Sequence, residues 1–133
     1  MKNAQQFSHE MILSANLENG LFIDATAGNG HDTLFLAQHI DSTSKILSFD
    51  IQETAILQTR QLLQKYDLAP KVTCILDSHS NISNYLEQDE CVRLAIFNLG
   101  YLPGSDKKII TIPSSTLEAI QILLGRLEKN GKI

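Results

Sequence analysis

The chain has no tryptophan, two cysteines, three prolines and four histidines among its 133 residues. Cys74 and Cys91 stand far apart with no CxxC pair, which excludes a dithiol redox motif and a disulfide framework. Two isolated thiols suit a reducing compartment, so the protein reads as cytoplasmic. Cys74 lies in an apolar run and is expected as a buried thiol. His9, His31, His39 and His79 show no metal-ligand spacing, and no metal is expected. No apolar run approaches the ~20 residues that span a bilayer. Lys2 is followed by Asn3, Gln5, Gln6, Ser8 and His9, not by the apolar core of a signal peptide. No membrane partner is expected. Positive charge is not in excess: the net charge is −4 and the pI about 5.5, so no global field draws in nucleic acid. Lys107 and Lys108, and the cluster Arg126, Lys129 and Lys132, still allow a local basic patch. Repeats, low-complexity tracts and linkers are missing too. With 43% hydrophobic and 20% charged residues, residues 1–133 read as one soluble globular domain.

What is present centres on residues 21–33, Leu-Phe-Ile-Asp-Ala-Thr-Ala-Gly-Asn-Gly-His-Asp-Thr. An apolar run enters a glycine-bearing turn, and a helix leaves it. That geometry lets backbone approach a bound cofactor closely. Gly28 and Gly30 can take positive φ and carry no Cβ to obstruct a ligand. Asp24 closes the apolar run, and Asp32 is expected as the N-cap of the following helix. An ordinary β-to-α connection would look similar, but a second feature argues against it. Residues 45–51 read as the next strand, ending at Asp50, 20 residues after Gly30. An acidic side chain at that distance commonly binds the ribose hydroxyls of an adenosine cofactor.

The rest of the chain alternates helix and strand. Residues 4–17 predict an amphipathic helix with Ala4, Phe7, Met11 and Ala15 on one face, adjoined by Leu13 and Leu17, and Gly20 in the left-handed position after it. His9 either points into a site or lies on the helix surface, and the surface is favoured. Strands are expected at 21–26, 71–77 and 92–97, besides 45–51, and helices at 33–40, 52–67 and 82–87. The helix at 52–67 carries Ala55, Ile56, Thr59, Leu62, Leu63 and Tyr66 on one side, and Ala69-Pro70 breaks the chain after it. Residues 102–114 read as a long loop. A capping box over Ser115–Glu118 opens a last helix through Leu117, Ile120, Leu124 and Leu127, which Asn130-Gly131 ends; Lys132-Ile133 looks like the start of a fifth strand.

Such alternation implies a parallel α/β sheet, with ligands beyond the carboxyl ends of the strands. The polar groups gather there: Asp24 with the glycine loop, Asp50, Asp77-Ser78-His79, and Asn98 to Tyr101. Thr33 stands where a dinucleotide fingerprint has its third glycine, and the GK[ST] of a P-loop is lacking. A cofactor with adenosine but no pyrophosphate fits better. An asparagine at a strand end followed by a tyrosine can hold a planar amine; on these two residues alone, Asn98 capping a turn with Tyr101 packed in the core is the favoured alternative. The Asn98 carbonyl accepts N–H bonds and the Tyr101 ring can stack on a base.

The string DATAGNG resembles motif I of class I S-adenosylmethionine-dependent methyltransferases, with Thr26 in place of the first glycine. NLGY resembles the N-P-P-Y motif of amine-directed methyltransferases, with Leu99 and Gly100 for the prolines. Together, DATAGNGHDTLFLA and NLGYLPGSDKKIITIPSST are similar to the small bacterial rRNA methylase family over essentially the whole chain. Members of that family are linked to methylation of the aminomethyl group of tRNA wobble 5-aminomethyl-2-thiouridine. The resemblance implies a Rossmann-like parallel sheet, S-adenosylmethionine as cofactor, and tRNA or another RNA as partner. It assigns Gly28, Asn29 and Gly30 to the methionine end, Asp24 beside its ammonium, Asp50 with Gln52 to the ribose, and Ser78 and His79 to the adenine. Asn98 and Tyr101 would be catalytic, orienting the acceptor amine. Residues 103–107 would form the substrate-side loop, where Lys107 or Lys108 meets a phosphate. Asp106 and His79 are the two candidate bases. Methyltransferases of this class have seven strands, so the resemblance also implies truncation before the last strands, with an uncovered sheet edge beside the fourth. A homodimer is compatible with all of this. So, in part, are an rRNA or small-molecule amine methyltransferase, an NAD(P)-linked oxidoreductase, and a non-catalytic RNA-binding module.

Overall fold

The computed structural model describes residues 4–98 and 113–133. Five parallel strands, β1 (Leu21–Asp24), β2 (Lys45–Asp50), β3 (Val72–Leu76), β4 (Val92–Ile96) and β5 (Leu127–Lys132), form one sheet in the order β3-β2-β1-β4-β5. The helices are α1 (Ala4–Ser14), α2 (His31–His39), α3 (Glu53–Lys65) and α4 (Ser114–Leu124). Two 3₁₀ segments cover Ala69–Lys71 and His79–Tyr85, so the helix expected at 82–87 is a tighter, earlier turn. Among the described residues, no helix is long and apolar enough to cross a membrane.

The sheet is a Rossmann-like α/β arrangement. From β1 the chain steps outward to β2 and β3, then returns past β1 to β4 and β5. The winding therefore reverses between β1 and β4, which opens a crevice at their carboxyl ends. All four residues of β1 are buried, as a central parallel strand requires. Its side chains alternate between two cores. Leu21 and Ile23 join Phe49, Ile75, Val92 and Ala95 under α4, through Ala119 and Leu123. Phe22 joins Ile46, Leu94 and Ile96 under α1, α2 and α3, through Ile12, Leu36 and Leu63.

Several expectations shift. α1 ends at Ser14 and buries Ile12 and Ser8, while Phe7 is 59% exposed and Leu13 is exposed as well. Its inward face is thus rotated from the one expected, because Ile12 is what meets the core beside α2. The left-handed residue after it is Asn19, at φ 48°, not Gly20. Instead, a Cβ on Gly20 would lie 2.7 Å from the Arg93 guanidinium. That guanidinium pairs with Glu128 and is held by the carbonyls of Asn16 and Glu18. In α3, Ala55, Ile56, Thr59 and Leu63 are buried as expected, but Tyr66 is exposed beyond the helix end. α4 starts at Ser114 after Pro113 with no side-chain cap, so no capping box forms at Ser115. It buries Thr116, Ala119 and Leu123 and exposes Leu117 and Leu124. Asn130 and Gly131 lie inside β5 and end no helix. β5 covers the edge of β4 that was expected to be bare, with a register shift between Val92 and Leu94. Cys74, on the outer strand β3, is half-buried rather than buried.

Candidate cofactor and acceptor site

The loop from Ala25 to Gly30 is hung between the strands flanking β1. Ala25 donates to the Ile96 carbonyl at 2.8 Å and Ala27 to the Phe49 carbonyl at 2.8 Å. This carries the sheet's hydrogen bonding past the end of β1 and fixes the loop over the crevice. Gly28 and Gly30 both take positive φ, 57° and 89°. They do so for different reasons. A Cβ on Gly30 would sit 3.0 Å from the Thr59 Cα and Oγ1, so α3 packs directly on that glycine. A Cβ on Gly28 would meet nothing nearer than the Thr26 carbonyl at 3.9 Å, so it would project into the open space where a ligand can lie. Asn29 beside it is exposed.

Gly30 also opens α2. It is the left-handed N-cap and accepts the Leu34 amide at 2.9 Å. Asp32, expected as the cap, is inside the first turn and 6% exposed. His9 Nε2 lies 3.3 Å from Asp32 Oδ1, without the alignment of a hydrogen bond. His9 is therefore not a surface residue: its ring stacks on Phe35, with centroids 3.7 Å apart and planes at 11°. The Asn98 side chain, at the end of β4, acts on the same carboxyl and favours its charged form. Burial pushes the Asp32 carboxyl up, against the opposing pull of His9 and Asn98.

Asp24 is fully buried and serves the loop's interior. Its Oδ1 accepts the Thr26 amide at 3.1 Å and its Oδ2 the Thr33 hydroxyl at 2.7 Å, and Thr33 in turn shares a 2.8 Å bond with Ser48. Asp24 is expected beside a ligand's ammonium; the structure shows its carboxyl buried beneath the loop, bonded to Thr26 and Thr33. Thr33, in the position of the missing third glycine, completes this buried set. Burial raises the Asp24 carboxyl to about 7 despite those two hydrogen bonds.

Asp50, at the end of β2, accepts the Gly28 amide at 3.0 Å on Oδ2 and the Gln52 amide at 2.9 Å on Oδ1. Gln52 is thus brought beside Asp50, as expected, through its backbone. A carboxylate offers about four lone-pair sites, so two amides leave it able to accept hydroxyls. Ile51, next in sequence, is 72% exposed and was not anticipated. A bulky aliphatic held in the open at a strand end offers an apolar flank for a flat ring, and only its place after the acidic residue hints at this in the sequence.

At the end of β3, Asp77 accepts from Tyr85, Asn81 and the Ser78 amide, and these bonds hold it below the usual carboxylate range. Ser78 caps the 3₁₀ segment, accepting the Ser80 amide at 3.2 Å. His79 turns away from this edge. Its Nδ1 is 2.9 Å from the Ala25 carbonyl and its Nε2 3.0 Å from Thr116 Oγ1. A carbonyl only accepts, so Nδ1 carries the proton and a neutral ring's Nε2 takes the Thr116 hydroxyl. With both nitrogens engaged, His79 ties the end of β1 to α4.

Asn98 follows β4 and is exposed. Its backbone amide donates to Thr26 Oγ1 at 2.7 Å. The threonine that replaces a glycine in the loop therefore fastens the asparagine corner to it, a role the substitution alone did not suggest. Hydrogen bonds thus tie Asp24, Asp50 and Asn98 to the loop that carries Gly28, Asn29 and Gly30, with Gln52 beside Asp50, while His79 bonds the Ala25 carbonyl at the loop's start. Tyr101, the loop at 103–107 and Asp106 lie outside the described residues.

Comparison with known proteins agrees with this layout. The family described as "Putative rRNA methylase" matches residues 46–133. The chloroplastic tRNA (mnm(5)s(2)U34)-methyltransferase of Arabidopsis thaliana is 32% identical over 140 residues, which cover 99% of this chain and 51% of that protein. A crystal structure described as a putative rRNA-methylase from Clostridium thermocellum superposes with a TM-score of 0.85 at 37% identity, over 98% of this chain and 69% of that one. A putative methyltransferase from Streptococcus mutans, solved in complex with SAH, does so with a TM-score of 0.80 at 42% identity, over 98% and 70%. The chain spans about half the length of the plant relative. On these grounds the chain belongs to the rRNA methylase family of class I S-adenosylmethionine-dependent methyltransferases.

Proposed function

We propose that this chain binds S-adenosylmethionine and is the core of an N-methyltransferase acting on RNA, with the aminomethyl group of tRNA wobble 5-aminomethyl-2-thiouridine as acceptor. The observation that carries this reading is the 2.7 Å bond from the Asn98 amide to Thr26, which sets an amine-binding side chain against a cofactor loop. The Streptococcus mutans relative was solved with SAH, and the Arabidopsis relative is named for that wobble uridine. The residues fit the cofactor. Gly28 leaves open space for its methionine end, Asp50 keeps acceptor capacity for ribose hydroxyls, and Ile51 with Ser78 borders the place for adenine. The lone thiols support a reducing compartment such as the cytosol.

When bound, S-adenosylmethionine would supply an electrophilic methyl carbon on a sulfonium, from which an uncharged amine attacking in line would displace the thioether, S-adenosylhomocysteine. Asn98 orients the acceptor. Its carbonyl oxygen accepts an N–H and so directs the nitrogen lone pair toward the cofactor side of the crevice. Alignment and exclusion of water are the enzyme's main levers here, and good alignment is worth up to roughly 7–11 kcal/mol. Asn98 has no basic group, so the proton of a charged amine leaves by another route.

The test is transfer of labelled methyl to tRNA from cells lacking this activity, with nucleoside analysis, in the full natural protein. Ribosomal RNA serves as the competing substrate, and calorimetry compares S-adenosylhomocysteine with NAD. Asn98→Ala is expected to lower turnover by about 100-fold or more with S-adenosylhomocysteine affinity changed by less than a few-fold. Equal losses in both would overturn the role of Asn98; NAD binding, or labelled rRNA with silent tRNA, would overturn the wider reading.

A further inference from the structure

The side of α3 next to the glycine loop carries a cluster that the crevice does not use. A groove of about 350 Å³ lies there, lined by Asn29, His31, Gln58, Gln61, Leu62 and Lys65. Its walls are held together, since α3 packs on Gly30 through Thr59 with no room for a Cβ. Small-ligand sites span roughly 300–1,000 Å³, so this volume suits one nucleotide-sized unit rather than a folded partner. The polar lining groups are an ammonium, an imidazole and three carboxamides, and all of them carry N–H donors. Among the described residues, none of these five side chains is drawn into a hydrogen bond or ion pair with another. No carboxylate lines the groove, although the chain has 15 acidic and 11 basic residues. An acid-free set of donors around a lysine matches a phosphate.

A second observation narrows the anion. Tyr66, expected on the covered side of α3, is 47% exposed, and the Lys65 ammonium sits over its ring, 5.7 Å from the centroid. A ring held in the open beside an ammonium gives a base a place to stack, next to a partner for the phosphate. The loop supplies the connection to the crevice. Asn29 lines the groove and adjoins Gly28, whose outer side faces open ligand space.

We propose that the α3 groove seats a nucleotide of the RNA substrate other than the one that is methylated, with Lys65, Gln58 and Gln61 on its phosphate and Tyr66 against its base. The proposal rests on RNA being the acceptor served by the crevice. Phosphate contacts fix register without reading sequence, so the groove orients the RNA and leaves the choice of base to the crevice. A chain of net charge −4 would then hold a polyanion through a local seat.

The test is binding and turnover of tRNA from cells lacking the activity, in the full natural protein. The substituted side chains are all exposed, so the fold should survive, and urea midpoints check that. Lys65→Gln should weaken tRNA affinity about tenfold. It should also flatten the slope of log affinity against log salt by about 0.7–1. Gln58→Ala combined with Gln61→Ala, and Tyr66→Ala alone, should each weaken binding about fivefold or more. These losses should appear in KM for tRNA, with kcat and S-adenosylhomocysteine affinity kept within about twofold, because the groove binds ground and transition states alike. Ser42→Glu, in the loop before β2 at the amino ends of the strands, changes the net charge by the same unit and should cost less than about twofold.

Equal losses from Ser42→Glu and Lys65→Gln would mean that overall charge alone is at work, and would overturn the proposal. So would a tRNA affinity indifferent to every groove variant. A Lys65→Gln protein whose sedimenting mass changes while its tRNA affinity holds would make the groove a seat for a second copy of the chain, which also defeats the idea. Methyl transfer confirmed with the groove variants silent strikes only the groove. Binding of tRNA that depends on Lys65, without methyl transfer, strikes only the acceptor reading.

Discussion

Gly28 and Gly30 differ by what surrounds them, and their substitutions should differ too. Alanine at Gly30 faces both a φ of 89° and a Thr59 backbone 3.0 Å away. Left-handed backbone alone costs a non-glycine residue about 1–2 kcal/mol, and displacing α3 adds to it. Gly30→Ala should therefore lower stability by about 2 kcal/mol or more. Gly28→Ala carries only the backbone cost, yet its methyl fills ligand space. It should lose S-adenosylhomocysteine affinity out of proportion to its loss of stability. Urea unfolding and calorimetry on the pair check this ordering, and equal stability losses would contradict it.

Asp24 gives the second prediction at this scale. Its carboxyl is raised from 3.8 to about 7 in the fold, mainly by burial. The folded state thus holds the proton more tightly than the unfolded chain does. Its contribution is complete below the unfolded value and is lost as pH rises through about 7. Asp24→Asn removes that dependence. The variant should gain stability relative to the parent as pH rises from roughly 4 to 7 and level off above that, read as the difference in urea midpoints; a difference flat across that range would refute the assignment.

At the scale of elements, strands were more legible than helix faces. β1 to β4 fall within a residue or two of expectation because short, β-branched apolar runs end in polar groups there. α4 was harder. Its sequence, SSTLEAIQILL, is apolar on several sides, so spacing alone does not say which side is covered. The answer comes from the partner: Ala119 and Leu123 meet the sheet core, while Leu117 and Leu124 do not. Leu123→Ala should cost about 2–5 kcal/mol, and Leu124→Ala, at a site 61% exposed, less than about 0.5. The reverse order would mean the helix sits rotated. Residues 127–131 read as the end of the last helix because Asn130-Gly131 is a stop signal, and the structure takes that pair, with Asn130 at φ 70°, into β5. Its strand character is imposed by pairing with β4. The candidate site could be picked out from the glycines, Asp50 and Asn98. The contacts that tune it could not, since His9, Thr26 and Asp32 reach their partners only across the fold.

At the scale of the whole molecule, the order β3-β2-β1-β4-β5 decides where anything can bind. The reversal beside β1 sets the ends of β1, β2 and β4 around one crevice, and α1 reaches over to it with His9. The molecule's net charge of −4 lends no general attraction for RNA, so recognition of an RNA acceptor would rest on local groups.

The Thr26–Asn98 bond joins positions 72 residues apart, and each half of the crevice leans on the other through it. Two guests that share such a fastening do not arrive independently. By linkage, whatever factor RNA adds to S-adenosylhomocysteine affinity, S-adenosylhomocysteine must add to RNA affinity. Calorimetry in both directions should find one factor above unity, and Thr26→Ala should bring it close to one; a factor untouched by that substitution would show that the fastening is idle. A molecule fastened this way would hold either guest longer in the other's company, whichever came aboard first.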